Sequence, residues 1–262
     1  MNSNLISTSE LKSILNDSNL IILDASQSYN DTIQLKGART FDIKNEFSKQ
    51  DQFPNTFPSK EQFQENCQKI GINKNSKIIV YDNKGIYTSP RVWWMFKTFG
   101  HDNIAVLDGG LPEWIKQGYE TEEIQKNAFP KGNFEANLVP NQVSYIEDIK
   151  QNIVSEECEV IDARSEERFN GAPESREGLR SGSIPKSINL PFSNLLKDGK
   201  FKSVKELQNI FSPIVNKEKP LIFTCGSGIT ACILLLGYQL AFDKTAPIYD
   251  GSWTEWGTLV SE

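Results

Sequence analysis

Short apolar runs recur along the chain, and they alternate with segments whose apolar residues have helical spacing. The runs are rich in Leu and β-branched residues, as is typical of buried strands. They cover residues 20–24, 77–81, 104–107, 159–162, 220–224 and 247–249. Strands that alternate with helices predict the α/β class, in which each domain has a mostly parallel sheet flanked by helices.

Two helices have recognisable start signals. The segment SKEQFQENCQKIG begins with Ser59, carries Gln62 three residues later and ends at Gly71, so the sequence predicts a capping box and a glycine stop. The segment SVKELQNIF repeats the device with Ser203 and Glu206. These signals place a helix before each of the predicted strands at 77–81 and 220–224.

Three pairs of similar segments follow one another in the same order. LIILDAS at 20–26 resembles EVIDARS at 159–165, IIVYDNKGIYT at 78–88 resembles LIFTCGSGITA at 221–231, and VLDGGLPEW at 106–114 resembles IYDGSWTEW at 248–256. The aligned separations are 138, 143 and 142 residues. Repeats of this length predict two copies of one domain. We place them at 1–135 and 136–262, joined near the Asn-, Pro- and Gly-rich stretch 125–142.

Composition narrows the possible partners. The net charge is −6 and there is no run of Lys or Arg, so we expect neither a nucleic-acid nor an anionic membrane partner. The apolar stretches are shorter than the roughly 20 residues that a membrane helix needs. The four cysteines lack a C-x-x-C spacing and the sequence has one histidine, which disfavours a metal site and indicates reduced thiols. We therefore expect a cytoplasmic protein.

Cys225 stands between a predicted strand and a predicted helix. Ligands bind at the carboxyl ends of strands in open α/β sheets, and Gly226 and Gly228 allow the backbone to turn tightly there. Cysteine thiols at helix N-termini have pKa values lowered from about 8.5 to about 3.5–7.5, which favours the nucleophilic thiolate. The same amides can hold an anion. The alternative is a buried structural cysteine, since free cysteines are often buried. We favour that structural interpretation for Cys67 and Cys232.

The second copy also carries a polar insert at 164–185 with four arginines, and a loop found in one copy alone points to function. His101 follows a predicted helix end and is interpreted as structural.

These motifs resemble the tandem rhodanese-like sulfurtransferases, most strongly the 3-mercaptopyruvate sulfurtransferase group. The segments that carry the resemblance are CGSGITA with DGSWTEW, DARSEERFNGAPESREGLRSGSIPKSINLPF, and YDNKGIYTSPRVWWMFKTFGHDNIAVLDGGLPEW. The resemblance implies two tandem rhodanese-like domains without a prosthetic group. It implies a sulfane sulfur carried as a persulfide and moved from 3-mercaptopyruvate or thiosulfate to a small thiol, cyanide or a thioredoxin-like protein.

The resemblance also assigns residues. Cys225 is the sulfur carrier, Arg168 and Arg176 hold the substrate carboxylate, and the cradle consists of Gly226, Ser227, Gly228, Ile229 and Thr230. The alternative for the two arginines is that they are solvated loop residues paired with Glu167, Glu174 or Glu177. Asp82 falls on Cys225 in the repeat alignment, so the N-terminal domain is expected to be catalytically inactive and the C-terminal domain to be the catalytic one.

The chain departs from the family pattern in its first copy. Members often have a His and an Asp that pair with the loop serine, and here Asn55 and Lys44 stand at those positions. Because of this departure, the alternative function remains that of a non-catalytic or weakly active module that carries persulfide. A cysteine phosphatase would need an arginine six residues after the cysteine, where this chain has Ala231.

Overall fold

The computed structural model describes residues 3–27, 32–125, 127–215 and 219–260. Residue 126 of the predicted join lies outside these ranges. The described residues form two compact units. The first consists of the described residues within 1–49, 57–139 and 198–201, and the second of those within 50–56, 140–197 and 202–262. No helix among the described residues is long and apolar enough to cross a membrane.

The first half of the chain contains seven strands and four helices among its described residues. The strands are β1 (Leu5–Ile6), β2 (Leu20–Asp24), β3 (Ile33–Leu35), β4 (Arg39–Thr40), β5 (Lys77–Tyr81), β6 (Ile104–Leu107) and β7 (Thr121–Glu123). The helices are α1 (Thr8–Ser13), α2 (Lys60–Lys69), α3 (Ser89–Thr98) and α4 (Gly110–Lys116). Five strands form a parallel sheet in the order β1-β6-β5-β2-β4, while β3 and β7 form an antiparallel ribbon.

The second half contains a further set of elements of the same kind. Its strands are β8 (Val143–Ser144), β9 (Glu159–Asp162), β10 (Ile188–Asn189), β11 (Leu196–Lys197), β12 (Lys200–Phe201), β13 (Leu221–Thr224) and β14 (Ile248–Tyr249). Its helices are α5 (Ile146–Ser155), α6 (Glu166–Phe169), α7 (Val204–Phe211), α8 (Ala231–Phe242) and α9 (Ser252–Leu259), with a 3₁₀ turn at Phe192–Leu195. The parallel sheet of the second unit has the order β10-β9-β13-β14-β8.

The two sheets share one strand order. Strand β5 of the first unit and β13 of the second each lie at the centre of their sheet, and these are the strands that precede Asp82 and Cys225. The predicted α/β class with mostly parallel sheets flanked by helices is confirmed. The assignment of an inactive domain at 1–135 and a catalytic domain at 136–262 concerns activity and stays a prediction.

The helix starts follow the predicted caps with one correction. Ser203 and Glu206 form the expected reciprocal capping box of α7. Ser59 accepts from the Gln62 amide, but the Gln62 side chain donates to the backbone oxygens of Glu46 and Ser48 instead of returning to Ser59. The capping box predicted there is therefore wrong in its second half, because two loop carbonyls accept the hydrogens of the Gln62 side-chain amide instead.

Candidate active site

Cys225 follows the last residue of the central strand β13, and α8 begins six residues later at Ala231. Its side chain is buried, with the residue only 1% exposed. Gly228 has φ +76°, a left-handed conformation that glycine adopts without a Cβ penalty. The loop from Cys225 to Thr230 thus turns tightly between a buried strand and a helix N-terminus, as the sequence predicts.

The start of α9 anchors this loop. The Ser252 hydroxyl accepts hydrogen bonds from the amides of Cys225 at 3.3 Å and Gly228 at 3.1 Å, and it donates to the backbone oxygen of Tyr249 at 2.8 Å. The amide of Trp253 donates to the Cys225 carbonyl at 2.9 Å. The loop conformation is therefore fixed by the segment that follows β14, which sequence spacing alone does not reveal.

Two arginines of the insert reach the residue beside the cysteine. A Cβ on Gly226 would lie 3.0 Å from Nη2 of Arg168. Arg176 donates through Nη1 to the Thr254 hydroxyl at 2.6 Å, and that hydroxyl donates to the Gly226 carbonyl at 2.6 Å. The structure thus brings Arg168 and Arg176 to the cysteine loop, where their guanidinium groups can bind a carboxylate.

A buried ion network holds the insert in place. Glu174 binds Arg168 through Oε2 at 2.7 Å and Arg164 through Oε1 at 3.0 Å. Arg164 is fully buried, pairs with Asp162 at 2.8 Å and stacks over Trp253 at 4.6 Å from the ring centroid. Glu174 was among the acidic partners that the sequence offers to the insert arginines, and it pairs with Arg168, whereas Arg164 was not predicted to have a role. The only signal for Arg164 was its place next to the repeated Asp-Ala pair.

The corresponding loop of the first unit follows β5, and its backbone amides donate to a carboxylate. The Asp82 carboxylate is buried there and accepts from the amides of Lys84, Tyr87, Thr88 and Ser89 at 2.8–3.0 Å, and from the Ser89 hydroxyl at 2.6 Å. A loop of this shape therefore binds a negative charge at its centre.

In the second unit, the loop from Cys225 to Thr230 has backbone amides that can donate to a ligand. Ser227 and Thr230 align with Lys84 and Tyr87. Within the described part of the chain, the amides of Ser227 and Thr230 donate to no acceptor. These amides can stabilise an anionic sulfur or a leaving group next to Cys225. Ile229 is buried and completes the loop with Gly226 and Gly228.

Asn55 belongs to the same unit as the loop. It lies in the stretch 50–56, and its Nδ2 donates to the Ser227 hydroxyl at 3.1 Å and to the Ser227 carbonyl at 3.3 Å. Lys44 lies in the first unit, where its amide donates to Oδ1 of Asp42 at 3.0 Å. The contact between Asn55 and Ser227 spans 172 residues of sequence.

The other thiols have different surroundings. Cys67 and Cys232 are buried, and burial raises the pKa of the Cys67 thiol well above its ordinary value. Burial and the charge of Glu157 raise the pKa of Cys158. His101 is buried against the carbonyl of Ser76, with Nε2 at 3.0 Å. Among the described residues, His, Cys, Asp and Glu form no group of three or more that could hold a metal ion.

Comparison with known proteins identifies the family. A family model described as a rhodanese-like domain matches residues 7–117 and 146–259. The human 3-mercaptopyruvate sulfurtransferase is 39% identical over 227 residues, which cover 85% of this chain and 76% of the relative. The Arabidopsis thaliana thiosulfate/3-mercaptopyruvate sulfurtransferase 1, mitochondrial, is 34% identical and covers 97% of this chain and 76% of its own length.

The fold also has a close structural counterpart. The crystal structure of SseA from Escherichia coli, described as a 3-mercaptopyruvate sulfotransferase with a rhodanese fold, superposes with a TM-score of 0.86 at 30% sequence identity. The superposition covers 96% of this chain and 99% of that one.

Proposed function

This chain belongs to the family of proteins with rhodanese-like domains, and from that premise we propose that it is a sulfurtransferase whose sulfur carrier is Cys225. The donor is 3-mercaptopyruvate, with thiosulfate as the weaker alternative, and the acceptor is a small thiol, cyanide or a thioredoxin-like protein. The observation that carries the proposal is the position of Cys225 at the end of the central strand, inside a loop of amide donors that two arginines reach.

The chemistry balances without a cofactor. The Cys225 thiolate attacks the sulfur of mercaptopyruvate, a bond from Sγ to that sulfur forms, and the carbon–sulfur bond breaks. The bonding electron pair leaves with the carbon as the enolate of pyruvate, which takes up the proton that the donor thiol carried. With thiosulfate the sulfur–sulfur bond breaks and sulfite leaves with the electron pair. An acceptor thiolate or cyanide then attacks the outer sulfur and releases the Cys225 thiolate.

The two arginines support mercaptopyruvate as the preferred donor. Mercaptopyruvate carries its charge on a carboxylate some atoms away from the transferable sulfur, whereas thiosulfate carries two charges close to it. The loop residues Gly226, Ser227 and Gly228 are uncharged, and the cations stand on the insert as Arg168 and Arg176. A planar guanidinium can bind both oxygens of a carboxylate. This arrangement also favours turnover over a module that only carries persulfide.

The proposal assigns no sulfur chemistry to the first unit. Asp82 occupies the loop centre, and a carboxylate cannot take up sulfane sulfur as a thiolate does. The proposal also places the activity in the cytoplasm, since reduced thiols there supply acceptors.

The test is direct. The full chain is incubated with each donor, and its intact mass is measured before and after addition of a thiol, together with pyruvate and sulfide release. We expect a gain of one sulfur that the thiol removes, and we expect Cys225→Ser to abolish both loading and turnover. Cys67→Ser, Cys158→Ser and Cys232→Ala are the matched controls and should retain both. Turnover at the wild-type rate in Cys225→Ser would overturn the proposal.

A further inference from the structure

The amide of Asn55 fixes how the Ser227 hydroxyl is bonded. Nδ2 lies within hydrogen-bond distance of both the carbonyl and the hydroxyl of Ser227. A backbone carbonyl only accepts, so the atom of Asn55 that faces it is the nitrogen and not the oxygen. The hydroxyl therefore accepts from Nδ2, and its own hydrogen must point away from Asn55.

The hydroxyl belongs to the loop that carries the groups of the proposed reaction. Ser227 is two residues from Cys225 and follows Gly226, the residue that Arg168 and Arg176 reach. In an α-keto thiol the carbonyl carbon is bonded directly to the carboxylate, so a carboxylate held by these arginines would bring that carbonyl oxygen toward the loop. A hydroxyl hydrogen that is turned away from Asn55 is available to that oxygen.

We propose, on the basis of the sulfur transfer proposed above, that Asn55 is a positioning residue that orients the Ser227 hydroxyl as a neutral donor to the carbonyl oxygen of an α-keto thiol. When the carbon–sulfur bond breaks, the electron pair passes into the enolate and negative charge develops on this oxygen. A prearranged hydrogen bond to that charge lowers the barrier. Asn55 does not accept a proton, so Ser227 remains protonated throughout.

The backbone of Asn55 decides which replacements are informative. Its φ is +59°, in the left-handed region that Asn, Asp and Gly adopt more readily than other residues. Asn55→Gly removes the amide and keeps the backbone. Asn55→Asp keeps the shape but presents acceptors, so the Ser227 hydroxyl turns its hydrogen toward residue 55 and away from the substrate. Asn141 is an exposed asparagine with φ +61°, and its Gly and Asp variants are matched controls.

Comparison of the two sulfur donors distinguishes a loss of Ser227 orientation from a general loss of activity. Thiosulfate releases sulfite, so no enolate oxygen develops during its reaction. We expect Asn55→Gly and Asn55→Asp to lower the ratio of kcat/KM for mercaptopyruvate to kcat/KM for thiosulfate by roughly 5- to 30-fold. This is less than the 10²–10³-fold loss for removal of an oxyanion donor, because the hydroxyl itself is still present. The Asn141 variants should leave the ratio unchanged.

The experiment measures both donors with the full-length variants between pH 4 and 8, so that the range reaches the ordinary Asp pKa of about 3.9, and repeats them in a Ser227→Ala background. The Asn55 effect should vanish in that background, because it acts through the hydroxyl. Asn55→Asp should recover toward low pH, where a protonated carboxyl can again donate to Ser227, and the wild type should show no such recovery. An equal loss with both donors, an unchanged ratio, or an undiminished effect in Ser227→Ala would overturn the role of Asn55. Failure of the wild type to form persulfide with either donor would instead overturn the sulfur transfer itself, and the role with it.

Discussion

The hydroxyl of Ser252 lies 3.9 Å from Sγ of Cys225 and at the same time accepts the Cys225 amide. Ser252 adopts φ +53°, a conformation that costs a residue with a Cβ roughly 1–2 kcal/mol. The aligned position of the first unit is Gly110, where an added Cβ would collide with the backbone oxygen of Asp82. The second unit therefore tolerates backbone strain at Ser252 in order to hold the cysteine loop by a side chain.

Substitution of Ser252 should separate activity from stability. Ser252→Ala and Ser252→Gly both remove the acceptor of two loop amides, so we expect kcat/KM to fall about 3- to 10-fold with either donor, the scale of one or two neutral hydrogen bonds. The glycine variant also relieves the left-handed strain. Its thermal stability should exceed that of the alanine variant, by about 1 kcal/mol. Wild-type rates in both variants would show that the anchor does not matter for transfer.

The two arginines should contribute unequally. Nε and Nη2 of Arg168 are already bonded to Glu174, whereas Arg176 donates to the neutral hydroxyl of Thr254. We expect Arg176→Ala to cost about 3 kcal/mol of transition-state binding with mercaptopyruvate and Arg168→Ala about 1.5 kcal/mol, within the range for charged hydrogen bonds. Lysine should restore only part of either loss, because it lacks the planar fork.

The matched control for the arginine variants is Lys205→Ala, which removes one positive charge from an exposed position of α7. The measurement is kcat/KM with each donor. We expect the wild type to prefer mercaptopyruvate over thiosulfate. Thiosulfate preference, or unchanged mercaptopyruvate kinetics in both alanine variants, would contradict the substrate assignment while leaving the persulfide chemistry standing.

The sequence predicted the interior of the fold better than its edges. Strands β2, β5 and β6 were predicted with the bounds that the structure has, because each contains a continuous run of four apolar residues. The edge strands β1 and β4 have two residues each, too few to carry a periodic signal.

The candidate site likewise contains residues that the sequence predicts and residues that it does not. Cys225 was predicted to be a nucleophile from its place between a strand and a helix, a signal that is local in sequence, and its position at the end of β13 is as expected. Asn55 and Ser252 form hydrogen bonds across 172 and 27 residues, and no spacing rule reports contacts of that range. The repeat alignment contains one indication of Ser252, because a serine stands there at a position where the first copy has glycine, Gly110.

Asp82 should be a structural residue of the first unit. Its carboxylate satisfies four amides and one hydroxyl in a buried loop, and Asp82→Ala would leave them without an acceptor. We expect a loss of about 3–5 kcal/mol in stability, measured by urea unfolding of the full chain. Asp102→Ala is the control, because Asp102 is exposed and its ion pair with Lys97 should contribute less than about 1 kcal/mol. Equal stability of the two variants would refute the interpretation of Asp82.

His101 should make the free energy of unfolding depend on pH between about pH 5 and 7. Histidine is the only side chain whose ordinary pKa lies in this range. Burial lowers the pKa of this imidazole, despite the bond to the Ser76 carbonyl and the nearby charge of Asp102. The unfolded chain therefore takes up a proton near pH 6.5 that the folded chain does not bind. The contribution of neutral His101 is complete above that pH and is lost as the pH falls toward the pKa of the folded state, with a slope of at most about 1.4 kcal/mol per pH unit.

The test compares the wild type with His101→Gln, which keeps a side-chain donor for the Ser76 carbonyl but does not titrate. Urea unfolding midpoints are measured at intervals between pH 5 and 7.5. Carboxyl groups such as Asp108, whose pKa burial raises, are present in both proteins and cancel in the difference. We expect the wild type to lose stability relative to His101→Gln as the pH falls below about 6.5. A difference that is constant across this range would show that His101 binds protons equally in the folded and unfolded chains.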